Sequence, residues 1–256
     1  KIDDFEIIEF DENTNNKLIE NQKYFCENNN LFLDSEIENK IKKIKIQLYD
    51  IHYFMYIYKN NDIVSKSIND KGSWERYSTN KIIQALKYYS EKNNLPKNEI
   101  TLVDIGANVG WYSFYIGKIG YRIISFEVSH INNYILKKNY CLNNNINITI
   151  INKGIGLKEE RCLLHHPLAN IGNAVILCGE NINIANKKDT QTEEVKFTQL
   201  KNYISFLSKS NLALIKMDIE GSEGKAIMSG IELISKYHVP FLFIEFNKFF
   251  CDLTKL

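Results

Sequence analysis

The sequence predicts an α/β fold in which a mostly parallel, doubly wound sheet follows an N-terminal extension of helix and strand. From residue 100 onward, short apolar runs alternate with segments of helical periodicity, the pattern of a parallel sheet covered by helices. A glycine-containing loop joins the first apolar run to a helix, as in nucleotide-binding sheets. We therefore place parallel strands at residues 101–105, 122–126, 147–151, 212–217 and 241–245.

The N-terminal extension is predicted to occupy residues 1–78, ahead of a larger domain at 79–256. Residues 1–30 mix short apolar patches with stretches rich in Asn and Glu. Such a composition favours loose structure, because it offers little apolar surface to bury.

A helix and a strand are predicted in the rest of this extension. Ser35 and Glu38 form the pattern of a capping box, and apolar residues then recur at helical spacing. This pattern predicts a helix over residues 36–51, with one stripe on the core. The aromatic run at 53–58 is typical of a strand, and another helix is predicted over residues 80–89.

The loop after the first parallel strand is the most informative part of the chain. Gly106, Asn108 and Gly110 allow a sharp turn and a close approach to a ligand, before a helix that begins near Trp111. A dinucleotide fingerprint carries glycine at the positions that Asn108 and Trp111 occupy here. The loop therefore fits poorly around a pyrophosphate.

Two acids frame this loop and indicate its ligand. Asp104 lies where its charge would repel a phosphate, and Glu127 ends the second strand, where an acid accepts hydrogen bonds from ribose hydroxyls. A ligand with adenosine, a positive charge and no phosphate fits both acids, and S-adenosylmethionine has these properties. The alternative is that the glycines only turn a strand-to-helix corner in some other α/β protein.

A second informative stretch ends the fourth strand. Asp218 lies where ligands bind in open α/β sheets, so it could take up a hydroxyl proton or orient a nucleophile. Lys216 lies two residues earlier on the same face, and a structurally paired lysine is favoured over a catalytic one. Glu220 could assist or bind substrate, while Glu223 fits a favourable partner of the helix dipole.

Glu245 ends the fifth strand, so its carboxylate should open on the same cleft as Asp218. Two acids there permit a general base with a substrate clamp, a divalent metal site with Glu220, or hydrogen bonds to sugar hydroxyls. We favour the first and the third together and assign no metal, because spacing places no further ligand.

Two further segments could contribute to a substrate pocket. Residues 161–199 interrupt the alternation with short strand-like runs, and an insertion there could cover the pocket. This segment holds His165, a possible base that is more often a packed or surface residue, and Asn173 in a tight polar loop. Trp74 and Glu75, in the sequence KGSWE, could form another wall or simply pack. The predicted substrate-binding residues are Trp74, Glu75, His165 and Asn173.

Composition disfavours several classes of partner. Lys and Arg total 32 against 31 for Asp and Glu, a net charge of +1, so no overall basic field favours a nucleic acid. No apolar run is long enough to span a membrane, and no membrane partner is expected. The five cysteines are scattered and form no C-x-x-C pair, which favours buried thiols in a reducing compartment and a cytoplasmic location.

Six motifs occur in the order KGSWE, DIGANVG, SFEVS, NKGIG, IKMDIEGSEGKAIMSG and FLFIEF. In this order and spacing, the chain resembles the FkbM-type family of S-adenosylmethionine-dependent O-methyltransferases over residues 54–246. The resemblance implies a Rossmann-like class I methyltransferase fold, and methylation of hydroxyl groups on sugars, polyketides or related small molecules.

The loops and the resemblance together define the expected site. Gly154 and Ile155 correspond to the segment that usually contacts adenine through its backbone and an apolar side chain. The expected catalytic residues are Asp218, Glu245 and Glu220. The expected cofactor-binding residues are Asp104, Gly106, Ala107, Asn108, Gly110, Glu127, Val128, Gly154, Ile155 and Asp218.

The sequence therefore favours an O-methyltransferase that acts on a sugar or glycan. One alternative is an RNA ribose 2′-O-methyltransferase, since such enzymes hold a Lys-Asp-Lys-Glu set in a similar cleft, and another is a non-catalytic S-adenosylmethionine-binding protein. The loop disfavours a nicotinamide-dependent oxidoreductase. Folds of this class normally finish with two more strands, so the chain, which ends at Leu256, is expected to be truncated after the fifth strand or to build this sheet edge differently.

Overall fold

The computed structural model describes residues 10–28, 33–167, 174–178 and 190–245. Within these residues, no helix is both long and apolar enough to cross a bilayer. In chain order the elements are α1 (Glu12–Glu27), α2 (Ser35–Lys40), β1 (Ile41–Leu48), β2 (Ile51–Tyr58), α3 (Ile63–Lys71), α4 (Arg76–Asn93), β3 (Thr101–Ile105), α5 (Trp111–Ile119), β4 (Arg122–Phe126), α6 (His130–Leu142), β5 (Ile148–Ile151), β6 (Gly154–Ile155), β7 (Glu160–Pro167), β8 (Val175–Cys178), β9 (Thr190–Thr198), α7 (Ile204–Leu207), β10 (Leu212–Met217), α8 (Glu223–Ser229), α9 (Ile231–Lys236) and β11 (Phe241–Ile244).

The central sheet confirms the predicted α/β class. Among the described residues its strands run in the order β11-β10-β3-β4-β5, and every neighbouring pair is parallel. Leu102 of β3 packs in the apolar layer that also contains residues of α5, α6 and the β1-β2 hairpin, whereas Val103 and Ile105 pack in the layer on the other face. Because both faces are buried, the strands read as continuous apolar runs.

The predicted helix over residues 36–51 is wrong beyond Lys40. Residues 41–48 form strand β1, which pairs antiparallel with β2 along its whole length. The isoleucines of this segment are β-branched and fit a strand, and pairing with the aromatic strand β2 decides between the two periodicities. The strand predicted over 53–58 is confirmed and begins earlier, at Ile51.

The prediction of loose structure for the first 30 residues is wrong for α1. Gln22 of this helix is buried, and its amide pairs with the backbone of β5. It donates to the carbonyl of Ile148 at 3.0 Å and accepts from the N–H of Ile150 at 2.8 Å. Because polar side chains hold this helix on the sheet, apolar periodicity does not reveal it.

A second, smaller sheet fills the region where the sequence predicted an interruption. Among the described residues its strand order is β6-β9-β7-β8, which confirms the strand-like runs predicted there. Its inner face buries Cys162, Leu164, Val195 and Phe197, and Val128 packs against them. This sheet therefore lies beside the carboxyl end of β4.

Four cysteines form two disulfides, so the prediction of unpaired thiols is wrong for them. Cys26–Cys141 joins α1 to α6 with Cα atoms 5.2 Å apart, and Cys162–Cys178 joins β7 to β8 with Cα atoms 4.4 Å apart. Spacing could not reveal the first pair, whose members lie 115 residues apart. The argument for a reducing compartment, and with it for a cytoplasmic location, loses its basis. Cys251 lies outside the described residues.

Candidate functional site

A crevice opens at the centre of the sheet, between β3 and β10. From β3 the chain proceeds to β4 and β5 on one side, while β10 and β11 extend the sheet on the other. The loops after β3 and β10 therefore diverge and leave a crevice at the carboxyl ends of the strands, where open α/β sheets bind ligands. The glycine loop after β3 and the segment after β10 that begins at Asp218 both lie at this crevice.

The loop after β3 is packed tightly against the end of β10. Gly106 has a φ of +81°, and a Cβ there would lie 2.0 Å from the carbonyl oxygen of Asp218. Its N–H donates to the carbonyl of Phe126 at 2.9 Å, which ties the loop to β4. Gly110 has a φ of +94°, and side chains of α5 and α6 occupy the place of a Cβ. Glycine is therefore required at both positions.

Glu127, at the end of β4, orders this loop. Its Oε2 accepts from the N–H of Asn108 at 2.7 Å, and its Oε1 accepts from the N–H of Ser129 at 2.9 Å. The residue is 6% exposed, and burial raises the pKa of Glu127 in spite of these hydrogen bonds. Asn132 and the backbone of Val128 add further hydrogen bonds to this carboxylate, which lines a cavity at the end of β4.

A cavity opens beside Glu127, and residues from both sheets line it. They are Ile105, Gly106, Phe126, Glu127, Val128, Lys153, Gly154, Ile155, Ile176, Phe197, Ile219 and Ser222. Five of the residues expected at a cofactor site are among them: Gly106, Glu127, Val128, Gly154 and Ile155. Ala107, Asn108 and Gly110 belong to the loop that supports this wall.

Ile176 and Phe197 reach the cavity from the second sheet, and sequence reasoning did not single them out. The cue for Phe197 lies in Gly154, because a Cβ at Gly154 would lie 2.5 Å from the Phe197 ring. A glycine that faces an aromatic ring across two strands cannot be recognised before their pairing is known.

Lys216 is buried in the crevice and fully paired. Its Nζ lies 3.1 Å from Oδ1 of Asp104 and 3.6 Å from Oδ2 of Asp218, and it donates to the carbonyl of Gly106 at 3.0 Å. The ring of Tyr112 lies 5.0 Å from the ammonium. Burial alone would lower the pKa of Lys216, but the two carboxylates raise it above its usual range. The favoured interpretation, a structurally paired lysine, is confirmed.

Asp104 lies beneath the loop rather than on the cavity wall. It is fully buried, and the hydroxyl of Ser113 donates to its Oδ2 at 2.6 Å. Its other oxygen pairs with Lys216, and the described lining of the cavity does not include it. Asp104 therefore holds the ammonium group of Lys216 in place.

Four acidic side chains lie close together in the crevice. Asp218 and Glu220 follow β10, Glu245 follows β11, and Glu75 precedes α4. Burial would raise the pKa of Asp218, but Lys216 and a hydrogen bond with Glu245 hold it below its usual range. That hydrogen bond, with burial, raises the pKa of Glu245 to about 8, and the nearby charges of Glu75 and Glu220 add to the effect. At neutral pH the pair therefore holds one proton, on Glu245, while Asp218 is ionised.

Three residues around the crevice have a left-handed backbone that residues other than glycine rarely adopt. Their φ values are +36° for Glu75, +53° for Asn108 and +50° for Glu220. The hydroxyl of Tyr112 donates to Glu75 at 2.6 Å and so fixes its carboxylate. Strained positions of this kind concentrate at functional sites. Sequence reasoning missed Tyr112, whose signal is its place in the first turn of α5, directly after the glycine loop that follows β3.

Of the other predicted substrate-binding residues, His165 and Trp74 are not among the described residues that line the cavity. Nδ1 of His165 lies 3.0 Å from a threonine hydroxyl of β9, and His166, on the other face of β7, pairs with Glu193 at 2.7 Å. Neither histidine is among the described residues that line the cavity. Trp74 packs against the apolar layer that contains Leu102 and residues of α5, α6 and the β1-β2 hairpin. Asn173 lies outside the described residues.

Comparison with known proteins places most of this crevice in a recognised domain. Residues 104–254, well over half of the chain, match a family model described as the methyltransferase FkbM domain. A search of curated protein sequences found no significant match.

Among solved structures, the chain is similar to WbdD, a bifunctional kinase-methyltransferase, at 11% identity and a TM-score of 0.43 over 71% of this chain and 31% of that one. It is also similar to the T. thermophilus 16S rRNA N2 G1207 methyltransferase RsmC, at 12% identity and a TM-score of 0.31 over 44% and 28% of the two chains. The chain thus spans about a third of the WbdD chain. Scores and identities this low carry no information about substrate.

Proposed function

Since the chain belongs to the FkbM methyltransferase family, we propose that it is an S-adenosylmethionine-dependent O-methyltransferase that modifies a hydroxyl group of a sugar or glycan. When bound, S-adenosylmethionine supplies an electrophilic methyl group on a sulfonium sulfur. The residues of the chain then have to hold the nucleoside, orient the acceptor hydroxyl and receive its proton.

The cavity beside Glu127 supports the choice of cofactor. In this proposal the carboxylate of Glu127 would bind the ribose hydroxyls, and Ile155 and Phe197 would supply apolar walls for the adenine. Gly154 lets the Phe197 ring come close, and Gly106 lets the loop backbone approach the ligand. The set of an acid at a strand end, a glycine loop and apolar walls fits an adenosine.

Asp218 is the proposed residue for the acceptor hydroxyl. Lys216 keeps it ionised, so at neutral pH it would accept a hydrogen bond from the hydroxyl and receive the proton of that hydroxyl. Because its lowered pKa makes Asp218 a weak base, alignment of the reacting groups supplies most of the acceleration. The protonated carboxyl of Glu245 and the carboxylate of Glu220 hold neighbouring hydroxyls of the acceptor.

The negative charge of the crevice supports the proposal of a neutral acceptor. The charges of Asp218, Glu75 and Glu220 act on Glu245 there, and the ammonium of Lys216 is already paired. Carboxylates accept hydrogen bonds from hydroxyls and repel phosphates. A neutral, polyhydroxylated acceptor therefore fits this crevice better than RNA, the alternative that the Lys-Asp pair raises.

A methyl-transfer assay tests the proposal. The protein is incubated with labelled S-adenosylmethionine and a panel of neutral oligosaccharides, capped RNA and small phenols. We expect label in an oligosaccharide. Label in RNA or in a phenol would replace the proposed acceptor. Tight cofactor binding without transfer to any member of the panel would favour a non-catalytic binding protein, and displacement of the cofactor by a nicotinamide dinucleotide would refute the assignment of the cavity.

A further inference from the structure

One wall of the cavity comes from a short edge strand. Strand β8 contributes Ile176 to the lining, and within the described residues it pairs with β7 alone, at the outer edge of the small sheet. It is four residues long. A backbone hydrogen bond contributes little net stability in water, so pairing alone holds such a strand weakly.

A disulfide supplies a second attachment for this strand. Cys178 lies directly opposite Cys162 of β7, and their sulfurs are bonded. Ile176 lies opposite Leu164 in the same register. Residues two apart share one face of a strand, so Cys178 points to the same side as Ile176, and Cys162 to the same side as Leu164. The covalent bond therefore lies beside the residue that lines the cavity.

The two cysteines differ in their environment. Cys162 is 1% exposed and packs in the same apolar cluster as Phe197, which also lines the cavity. Cys178 is exposed to solvent. The disulfide thus joins the apolar layer beneath the cavity to a strand that a dissolved thiol can reach.

We propose that the Cys162–Cys178 disulfide is a positioning element of the cofactor pocket: it holds Ile176 against the bound nucleoside, so that its reduction weakens cofactor binding. The inference rests on the proposed function, because it takes S-adenosylmethionine as the ligand of the cavity. In the reduction, a dithiol gives up two electrons and two protons and closes to its own disulfide. The S–S bond of the protein breaks, and each sulfur becomes a thiol.

Calorimetry with S-adenosylhomocysteine tests the inference. In the C26S/C141S variant, Cys162–Cys178 is the disulfide that remains among the described residues. The dissociation constant of this variant for S-adenosylhomocysteine is measured before and after treatment with dithiothreitol. The protein mass after alkylation shows whether the disulfide is intact or reduced. We expect the reduced protein to bind about fivefold more weakly or worse, as loss of an apolar contact predicts.

Two matched variants identify the cause. The fourfold variant C26S/C141S/C162S/C178S should bind as weakly as the reduced protein and should not respond to dithiothreitol. I176A, with both disulfides intact, should show weakened binding, because it removes the contact that the bond positions. If C26S/C141S does not fold, wild type and C162S/C178S give the same comparison, since Cys26–Cys141 stays intact in both.

The possible failures are distinguishable. Equal dissociation constants for the oxidised and reduced protein, with the bond shown to be broken, would overturn the role of the disulfide and leave the proposed function standing. Absence of binding in the oxidised wild type would overturn the proposed cofactor itself.

Discussion

At the residue scale, Lys216 determines which of the two acids, Asp218 or Glu245, holds their shared proton. Its ammonium lies 3.1 Å from Asp104 and 3.6 Å from Asp218. Because this charge favours ionised Asp218, the shared proton stays on Glu245. Two adjacent carboxyl groups therefore have different tasks, since one accepts hydrogen bonds and the other donates them.

Replacing Asp218 by Ala should lower turnover by about 10²–10⁴-fold, the usual contribution of a positioned proton acceptor. Cofactor affinity should stay largely unchanged, because Lys216 keeps Asp104 as its partner and the side chain of Asp218 is not among the described lining of the cavity. Single-turnover rates and calorimetric dissociation constants check both statements. Glu232→Gln, which alters an exposed ion pair of α9, is the matched control and should keep full activity. Full activity in D218A would remove Asp218 from the mechanism.

Replacing Glu127 by Ala should weaken cofactor binding, the quantity that D218A is expected to leave largely unchanged. Hydrogen bonds to a charged group contribute about 1.5–3 kcal/mol, so the dissociation constant of S-adenosylhomocysteine should rise roughly tenfold or more. The variant also releases the backbone of Asn108, which adds to the loss. Calorimetry measures the change, with Glu194→Ala, from an exposed pair with Arg161, as the control. An unchanged dissociation constant would refute the assignment of Glu127 to the ribose.

Glu245 gives the folded protein a specific pH dependence. Its pKa of about 8 lies above the ordinary value of 4.5, so between these pH values the folded chain binds a proton that the unfolded chain has lost. Unfolding free energy should therefore fall as pH rises through this window and level off above pH 8. Asp218 has a lowered pKa, so its contribution to stability is constant at neutral pH and is lost only as the pH falls into the acidic range.

The variant E245Q isolates this contribution. Denaturant unfolding at pH 5 to 9 should show the stability of wild type declining relative to E245Q, because glutamine does not titrate. Parallel pH profiles for the two proteins would contradict the raised pKa.

At the scale of elements, the loop between β3 and α5 depends on its contact with the end of β10. Gly106 approaches the carbonyl of Asp218 so closely that the loop and the strand form one surface. The N–H of Asp218 in turn donates to the carbonyl of Ile105 at 3.1 Å. The cofactor loop and the proposed catalytic acid are therefore positioned by the same contact.

Replacing Gly106 by Ala should destabilise the fold more than replacing Gly72 by Ala. Both glycines have positive φ, +81° and +68°, which costs an alanine about 1–2 kcal/mol. A Cβ at Gly72 meets no atom within 4 Å, whereas one at Gly106 overlaps the carbonyl of Asp218. Denaturant unfolding compares the two variants. Equal losses of stability would show that the loop can move away from β10.

At the scale of the whole molecule, the N-terminal segment closes the edge of the sheet. Helix α1 covers β5, the last strand of the sheet in this direction, through the amide of Gln22 and a hydrogen bond from Thr149 to Asn15 at 2.8 Å. Cys26–Cys141 then ties α1 to α6 across 115 residues. An open sheet edge is thereby protected against pairing with another chain.

Removing this bond in C26S/C141S should lower the free energy of unfolding by about 2–4 kcal/mol, because a long loop of the unfolded chain is no longer closed. Cofactor affinity should not change, since neither cysteine lines the cavity. Urea unfolding and calorimetry measure the two quantities on the same protein. A loss of affinity without a loss of stability would contradict the separation between the two disulfides.

Much of the site could be predicted because strand ends are local features of the sequence. Strands β3, β4 and β10 have the predicted bounds, since buried parallel strands are continuous apolar runs that end at a glycine or an acid. Naming those strands places Glu127 and Asp218 at one edge of the sheet, because parallel strands share the direction of their carboxyl ends.

Other features could not be predicted because they depend on which elements pair and in which register. The segment 41–48 carries both periodicities, and only its pairing with β2 makes it a strand. The cysteine pairs and the place of Ile176 in the cavity depend on sheet register. The position of Asp104 beneath the loop depends on Lys216, its neighbour on another strand.

The sequence by itself therefore determined the α/β class, the central strands, the glycine loop and the acids at the strand ends, because each is encoded within a few neighbouring residues. Tertiary structure alone decided the N-terminal hairpin, the disulfides, the second sheet over the cavity and the ionisation of Asp218 and Glu245. Each of these depends on how strands and helices pair and pack, and that arrangement exists only once the chain has folded.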